Sequence, residues 1–326
     1  VAPMIAFVNS SIGIPFEMTN DGVKEDELAE RAEDYPENTV PRGGLLLTMG
    51  VDVQHDRLAI IIRAWGRGEE SWLVWWGEIH GNTVDPKSDV WRKLAEMIFQ
   101  TVYRHESGAG MKIAAVSIDS SDGNTSDAVY GFVRACRGYK NINVMAVKGS
   151  SNPDKEIFSR ARAIDLKHKN TKADKFGVQV YSVGVSRAKD LLIDEHARIN
   201  LEGSGAGRMH FYSGVRADYC SQLLSEIKVP SRMNKHKKVW QKKVGVRNEA
   251  LDCEVYALHA ARSLGTHTMS AARWALYESA LLQSELFSEP KAEADQVVGS
   301  ETGHKNSSGY SAVNRRKRGS NFATNF

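Results

Sequence analysis

Apolar positions along this chain follow two different periods. From Leu45 to Val53 they are nearly continuous, as in a strand covered on both faces, and Arg57–Trp65 and Ser71–Ile79 follow at short spacing. Polar turns at Gln54-His55-Asp56 and Gly66-Arg67-Gly68 separate the three runs, which read as an antiparallel meander. The period then lengthens. Val90, Trp91, Leu94, Ala95, Met97, Ile98, Val102 and Tyr103 recur at three- and four-residue steps and predict one amphipathic helix. Ile113–Ile118 reads as a fourth strand, Thr125–Arg137 as a helix capped by Asn124 or Thr125, and Asn143–Val147 as a fifth strand. The order β-β-β-α-β-α-β predicts an α/β fold: a mixed sheet of three antiparallel strands, then strands joined through helices that flank it.

Beyond Ser150 the pattern is weaker. It predicts a strand over Val178–Val183, helices over Ser186–Ile199 and Tyr219–Ile227, and a loop at Gly203–Gly207. A hairpin is expected where Val239-Trp240 and Val244-Gly245-Val246 alternate with lysines. Asn248–Leu264 and Ala271–Leu286 read as the last two helices. Residues 1–43 form an acidic leader, with a short helix over Glu25–Asp34 stopped by Pro36 and Pro41. The core domain is then 44–265, followed by a C-terminal helix over 266–287. Residues 288–326, rich in Ser, Gly, Asn and Lys, read as a disordered basic tail.

Composition narrows the class. The 326 residues are 41% hydrophobic and 25% charged, as in globular proteins that need no membrane, and no apolar run approaches the roughly 20 residues of a span. The first residues lack the charged start and cleavage site of a secretory signal. Cys136, Cys220 and Cys253 are odd in number and scattered, which argues against a disulfide framework and a thiolate zinc site and favours a reducing interior. The net charge of +3 hides an uneven distribution. Residues 1–40 hold nine acids against Lys24 and Arg31, whereas 228–247 hold eight Lys or Arg and no acid. Such a basic segment fits a polyanion contact, and read alone it fits a solvated lysine-rich loop equally well.

Three aspartates are placed where chemistry is expected. Asp52 lies near the end of the first buried strand, Asp119 ends the fourth, and Asp252 lies on the late helix. A carboxylate in an apolar strand is costly unless it is paired or binds a cation. In this strand order the first and fourth strands are neighbours, so Asp52 and Asp119 converge and a helix can present a third acid. Their mutual repulsion is relieved by hard divalent cations, and a pair of such ions suits phosphodiester hydrolysis. Taken singly, Asp119 reads as well as a turn cap, Asp52 less so because its apolar run is longer, and Asp252 is one helical acid with Glu249 and Glu254 competing for its role.

Five motifs then occur in order: Gly50-Val-Asp52-Val-Gln54-His-Asp56-Arg57-Leu58, Gly66-Arg-Gly-Glu-Glu-Ser71-Trp72, Ile118-Asp119-Ser120, Val147-Lys148-Gly149 and Arg247-Asn248-Glu249-Ala250-Leu251-Asp252-Cys253. Together they resemble the C-terminal nuclease domain of the lambda-like phage terminase large subunit. The opening Asn9-x-x-x-Gly13-x-Pro15-Phe16-Glu17 is similar to that family's junction between ATPase and nuclease. The resemblance implies a ribonuclease H-like fold that cuts concatemeric double-stranded viral DNA, with two Mg²⁺ or Mn²⁺ ions held by Asp52, Asp119 and Asp252. It makes Lys148 a contact to phosphate or the scissile strand, while His55 near a water, and Asp56 and Arg57, are better read as turn residues. Lys235, Lys237, Lys238, Lys242, Lys243 and Arg247 become candidate DNA contacts, with Trp240 an anchor for their hairpin and Asn248 a helix cap.

No Gly-x-x-x-x-Gly-Lys-Ser/Thr loop is present, so the resemblance places the ATPase in a missing part of the same polypeptide. It also implies a small terminase subunit and a procapsid portal as partners, and the host cell cytoplasm as the location. The alternatives are a module that binds DNA or docks on the portal with little activity of its own, and another ribonuclease H-like nuclease such as a resolvase.

Overall fold

The computed structural model describes residues 23–160, 177–231, 234 and 237–287. The main element is a seven-stranded sheet. Its strands are β1 (Leu46–Val53), β2 (Arg57–Trp65), β3 (Ser71–His80), β4 (Ile113–Asp119), β5 (Asn143–Gly149), β6 (Val180–Val183) and β7 (Met209–His210). The order is β7-β3-β2-β1-β4-β5-β6, with β1, β2 and β3 antiparallel and β4, β5 and β6 added parallel to β1. This is the ribonuclease H-like topology expected from the sequence, with β1 at its centre and buried along its whole length.

The helices are α1 (Glu25–Glu30), α2 (Asp89–Phe99), α3 (Ser126–Cys136), α4 (Val185–Ile193), α5 (Ala217–Leu223), α6 (Glu249–Ser263) and α7 (Ala271–Phe287). Within residues 23–43, Leu28, Tyr35 and Val40 are buried in the common core, and the Tyr35 hydroxyl donates to the Leu73 carbonyl at 3.0 Å. No described helix is long and apolar enough to cross a membrane. All three cysteines are free and buried. The Asn9–Glu17 motif and the tail at Arg315–Arg318 lie outside the described residues.

Three predicted elements are shorter or different. The helix expected to reach Tyr103 stops at Phe99, because Tyr103–His105 pairs with Thr39–Val40 and Gly110–Met111 in a small separate sheet. The helix expected over Ser186–Ile199 ends at Ile193, and a single 3₁₀ turn follows at Arg198–Asn200. The helix expected over Tyr219–Ile227 ends at Leu223, and the chain extends into β8 (Glu226–Pro230), which pairs antiparallel with β9 (Lys238–Lys242). The basic hairpin is therefore 226–242, not 239–246. Strand pairing across the turn satisfies the backbone there, which local periodicity does not register.

One helix sets the geometry of the site. α6 lies across β2, β1 and β4, and every second residue of β1 faces it. Thr48 Oγ donates to the Ala257 carbonyl at 3.0 Å. Gly50 leaves no room at all: a Cβ there would stand 2.0 Å from the Cys253 carbonyl oxygen. Asp52 is next on the same face. Gly50→Ala should therefore push α6 off the sheet and destabilise the protein by about 1–3 kcal/mol, the usual cost of overpacking a core. Thermal unfolding checks this, and an unchanged Tm would show that α6 does not pack this closely.

Candidate active site

Asp52 and Asp119 lie side by side because of strand register. Parallel pairing of β1 with β4 runs to Val51 opposite Ile118, and the two aspartates are the next residues on their strands. Both side chains are more than nine-tenths buried. Asp252, in the first turn of α6, reaches the same edge. The structure therefore brings together the three acids singled out from the sequence.

Each acid has protein donors. Gln54 Nε2 donates to Asp52 Oδ2 at 2.6 Å. The backbone N–H and the hydroxyl of Ser121 donate to Asp119 Oδ1 at 3.2 and 2.7 Å, and the Tyr256 hydroxyl also serves Asp119. At Asp252 both oxygens are engaged: Asn248 Nδ2 donates to Oδ2 at 2.8 Å, and Lys189 Nζ lies 3.5 Å from Oδ1. Lys189 and Asn248 also reach Glu226 Oε1, at 2.7 and 3.2 Å.

Burial, then the charges of Asp252 and Asp119, push the Asp52 carboxyl well above its ordinary pKa. Burial raises that of Asp119, against the hydrogen bonds from Ser121. Asp252 is raised to about 6 by burial, with Lys189 opposing and Glu226 and Asp119 adding to the rise. Asp52, Asp119, Asp252 and Glu226 thus stand near the one ammonium of Lys189, an excess of negative charge among the described residues at this edge.

Among the described residues, no three His, Cys, Asp or Glu side chains stand close enough together, as placed, to grip an ion. The donor chemistry nevertheless fits hard divalent cations: carboxylate oxygens only, desolvated and destabilised by one another. Asp52, Asp119 and Asp252 are the residues that would hold them.

The flanking residues divide into two groups. Arg57 donates to Glu249 and Asp56, and Arg247 to Glu78 and Glu249, so these arginines brace the first turn of α6. Arg247, expected at the DNA, is half committed to this network and nearly half exposed. His55 Nε2 lies 2.6 Å from Asp122, which joins the loops after β1 and β4. Asn248 occupies the N-cap position of α6, but its amide serves Asp252 and Glu226 instead of capping the helix, a correction to its expected role. Lys148, at the end of β5, is exposed, as are Lys237, Lys238 and Lys242; Lys243 is half-buried and Lys235 lies outside the described residues. Trp240 anchors the hairpin, donating through Nε1 to Asp190 of α4 at 2.8 Å.

Sequence reasoning missed Gln54, Tyr256, Lys189 and Glu226. Gln54 was within reach, being two residues from Asp52 on one face of the extended chain. Tyr256, one turn after Asp252, was also legible from helical spacing. Lys189 and Glu226 belong to other elements and leave no local signal.

A ribonuclease H-like sheet with acids at the ends of β1 and β4 and the start of α6 is the arrangement of a class of nucleases. Residues 1–274 match the terminase large subunit gpA endonuclease-domain family, and the chain belongs to it. It is 33% identical over 288 residues to the large terminase subunit of Escherichia phage lambda, and 27% identical to that of Enterobacteria phage P21. Each match covers 85% of this chain but 41% of the relative, so the chain spans about two fifths of their length. Among solved structures it is similar to Thermus thermophilus RuvC, at 13% identity over 68% of this chain and 98% of that one, with a TM-score of 0.28.

Proposed function

We propose that this chain is the DNA endonuclease of a viral genome-packaging terminase, hydrolysing phosphodiesters in concatemeric double-stranded DNA with two divalent ions, Mg²⁺ or Mn²⁺. The observation that carries this reading is that Asp52, Asp119 and Asp252, from two strands and a helix, stand at one edge of the sheet within electrostatic reach of one another, the first two of them buried. When bound, the ions supply an activated water and stabilise the leaving oxygen. The chain's own residues hold the acids: Gln54 orients Asp52, Ser121 and Tyr256 orient Asp119, and Asn248 orients Asp252.

Beside the acids, the 226–242 hairpin offers exposed lysines, and Lys242 Nζ donates to Asn248 Oδ1 at 3.2 Å, next to Asp252. These lysines support a phosphate-binding surface at the edge of the site, with Lys148 near the end of β5 as the contact to the scissile strand. The ATPase portion of the same polypeptide, a small terminase subunit and the procapsid portal are its proposed partners, in the host cytoplasm.

Plasmid nicking with Mg²⁺, Mn²⁺ or EDTA tests the reading. Cleavage in either metal that EDTA stops is the expected result. Metal-independent DNA binding with no cleavage would make the domain a binding or docking module instead. The hairpin's role has its own test. Changing Lys237, Lys238 and Lys242 together to alanine should flatten the slope of log K against log salt by about 2–3, since each phosphate contact contributes roughly 0.9. An unchanged slope would place the DNA elsewhere.

A further inference from the structure

Lys189 is a buried cation that the reaction as described leaves without a distinct role. It lies on α4, its side chain 7% exposed. Burying an ammonium is costly unless it is paired, and Glu226 at 2.7 Å already pairs it. The second contact, 3.5 Å to Asp252 Oδ1, is thus not needed for burial. Asn248 repeats the pattern from the other side, reaching Glu226 Oε1 and Asp252 Oδ2 with one amide nitrogen. Two donors from different elements span the same two carboxylates, in a closed ring of four groups. One donor lets a carboxylate swing about its contact, whereas two donors on opposite oxygens fix its plane.

The ring also joins separate parts of the fold. Lys189 belongs to α4, Glu226 begins the basic hairpin, and Asn248 and Asp252 begin α6. α4 is fastened to the hairpin independently, by Trp240 donating to Asp190 and by Lys228 Nζ at 2.9 and 2.8 Å from Asp190 and Asp194. Lys189 is therefore not required to hold α4 and the hairpin together.

We propose that Lys189, held by Glu226, is a positioning residue that fixes the Asp252 carboxylate for the divalent ions of the nuclease site. The assignment rests on the metal-centre reading above. Partners of metal ligands of this kind change metal affinity or activity by about 10–100-fold when removed.

The test uses the whole chain and Mn²⁺, with bound ion measured from loss of the free-ion EPR signal in the presence of a DNA duplex, alongside single-turnover nicking. Lys189→Met should raise the Mn²⁺ concentration for half-saturation about 10–100-fold. It also leaves Glu226 buried and unpaired, so some loss of Tm is expected. The double variant Lys189→Met, Glu226→Gln removes that stray charge. It should regain the wild-type Tm while its half-saturation stays weak, a separation that a purely structural role for Lys189 does not produce. Half-saturation within twofold of wild type in the double variant would overturn the proposal and leave the metal centre standing. A wild-type chain that binds no Mn²⁺ would overturn both.

Discussion

Asp52→Asn will abolish metal-dependent nicking, by on the order of 10³-fold or more, about 4 kcal/mol of barrier. DNA binding in EDTA should remain. The side chain is buried at the centre of the site, and the charges of Asp252 and Asp119 raise the cost of ionising it. The asparagine is isosteric and can still accept from Gln54 Nε2, so the fold has no reason to change. Without metal the variant should be more stable than wild type. A carboxyl whose folded pKa is raised keeps its proton after the unfolded chain has lost it. Wild-type stability therefore declines as pH rises from the unfolded carboxyl pKa through the raised one, which for Asp252 is about 6. The Asn variant escapes the part of this decline that belongs to Asp52. Its gain in Tm should grow as pH rises above the unfolded carboxyl pKa, at about 2–4 °C per kcal/mol, and vanish below it. Wild-type cleavage by the variant, or a lower Tm at pH 8, would remove Asp52 from the site.

Glu254→Gln should be the most destabilising substitution considered, costing about 3–5 kcal/mol. Glu254 lies two residues after Asp252 on α6 and is 0% exposed, like its partner Arg63 on β2. The pair is bidentate, Nε to Oε2 at 2.7 Å and Nη2 to Oε1 at 2.6 Å, and the Tyr219 hydroxyl donates to Oε1 at 2.6 Å. Neutralising Glu254 leaves a guanidinium charged in the core without a counter-charge, with the Gln amide oxygen, Ser71 and Tyr219 as neutral acceptors. The expected fall in Tm is on the order of 10 °C. The double variant Arg63→Met, Glu254→Leu should recover most of the loss, because what costs is the unpaired charge and not the missing pair. Equal instability of single and double variants would show that packing, not charge, anchors α6. Since α6 also carries Asp252, nicking should follow Tm across this series.

The five main strands of the sheet core were legible because each carries its own period: a continuous apolar run for β1, which is covered on both faces, and short runs between polar turns for β2 and β3. Asp52 and Asp119 were legible for the related reason that they interrupt those runs near strand ends, and Asp252 because it falls in a motif at the start of a strongly periodic helix. The stretch from Ser186 to Val246 was not read correctly. Its helices are short, and Glu226–Pro230 is a strand only because Lys238–Lys242 pairs with it across the turn. Asn248 was read as a cap because its position is that of one, but its amide is drawn to two carboxylates that local sequence does not bring near.

By itself, then, the sequence determined the order of the five main strands, the place of Asp52, Asp119 and Asp252 along the chain, and the family to which the chain belongs. These depend on periodicity and on motifs a few residues long. Only the tertiary structure decided which groups hold those acids. Lys189 and Glu226 reach Asp252 from a helix and a hairpin that are distant in sequence, and Arg63 fixes α6 from across the sheet. Long-range contacts of this kind arise when the sheet and α6 close on each other, and desolvation makes a charge matter only once they have.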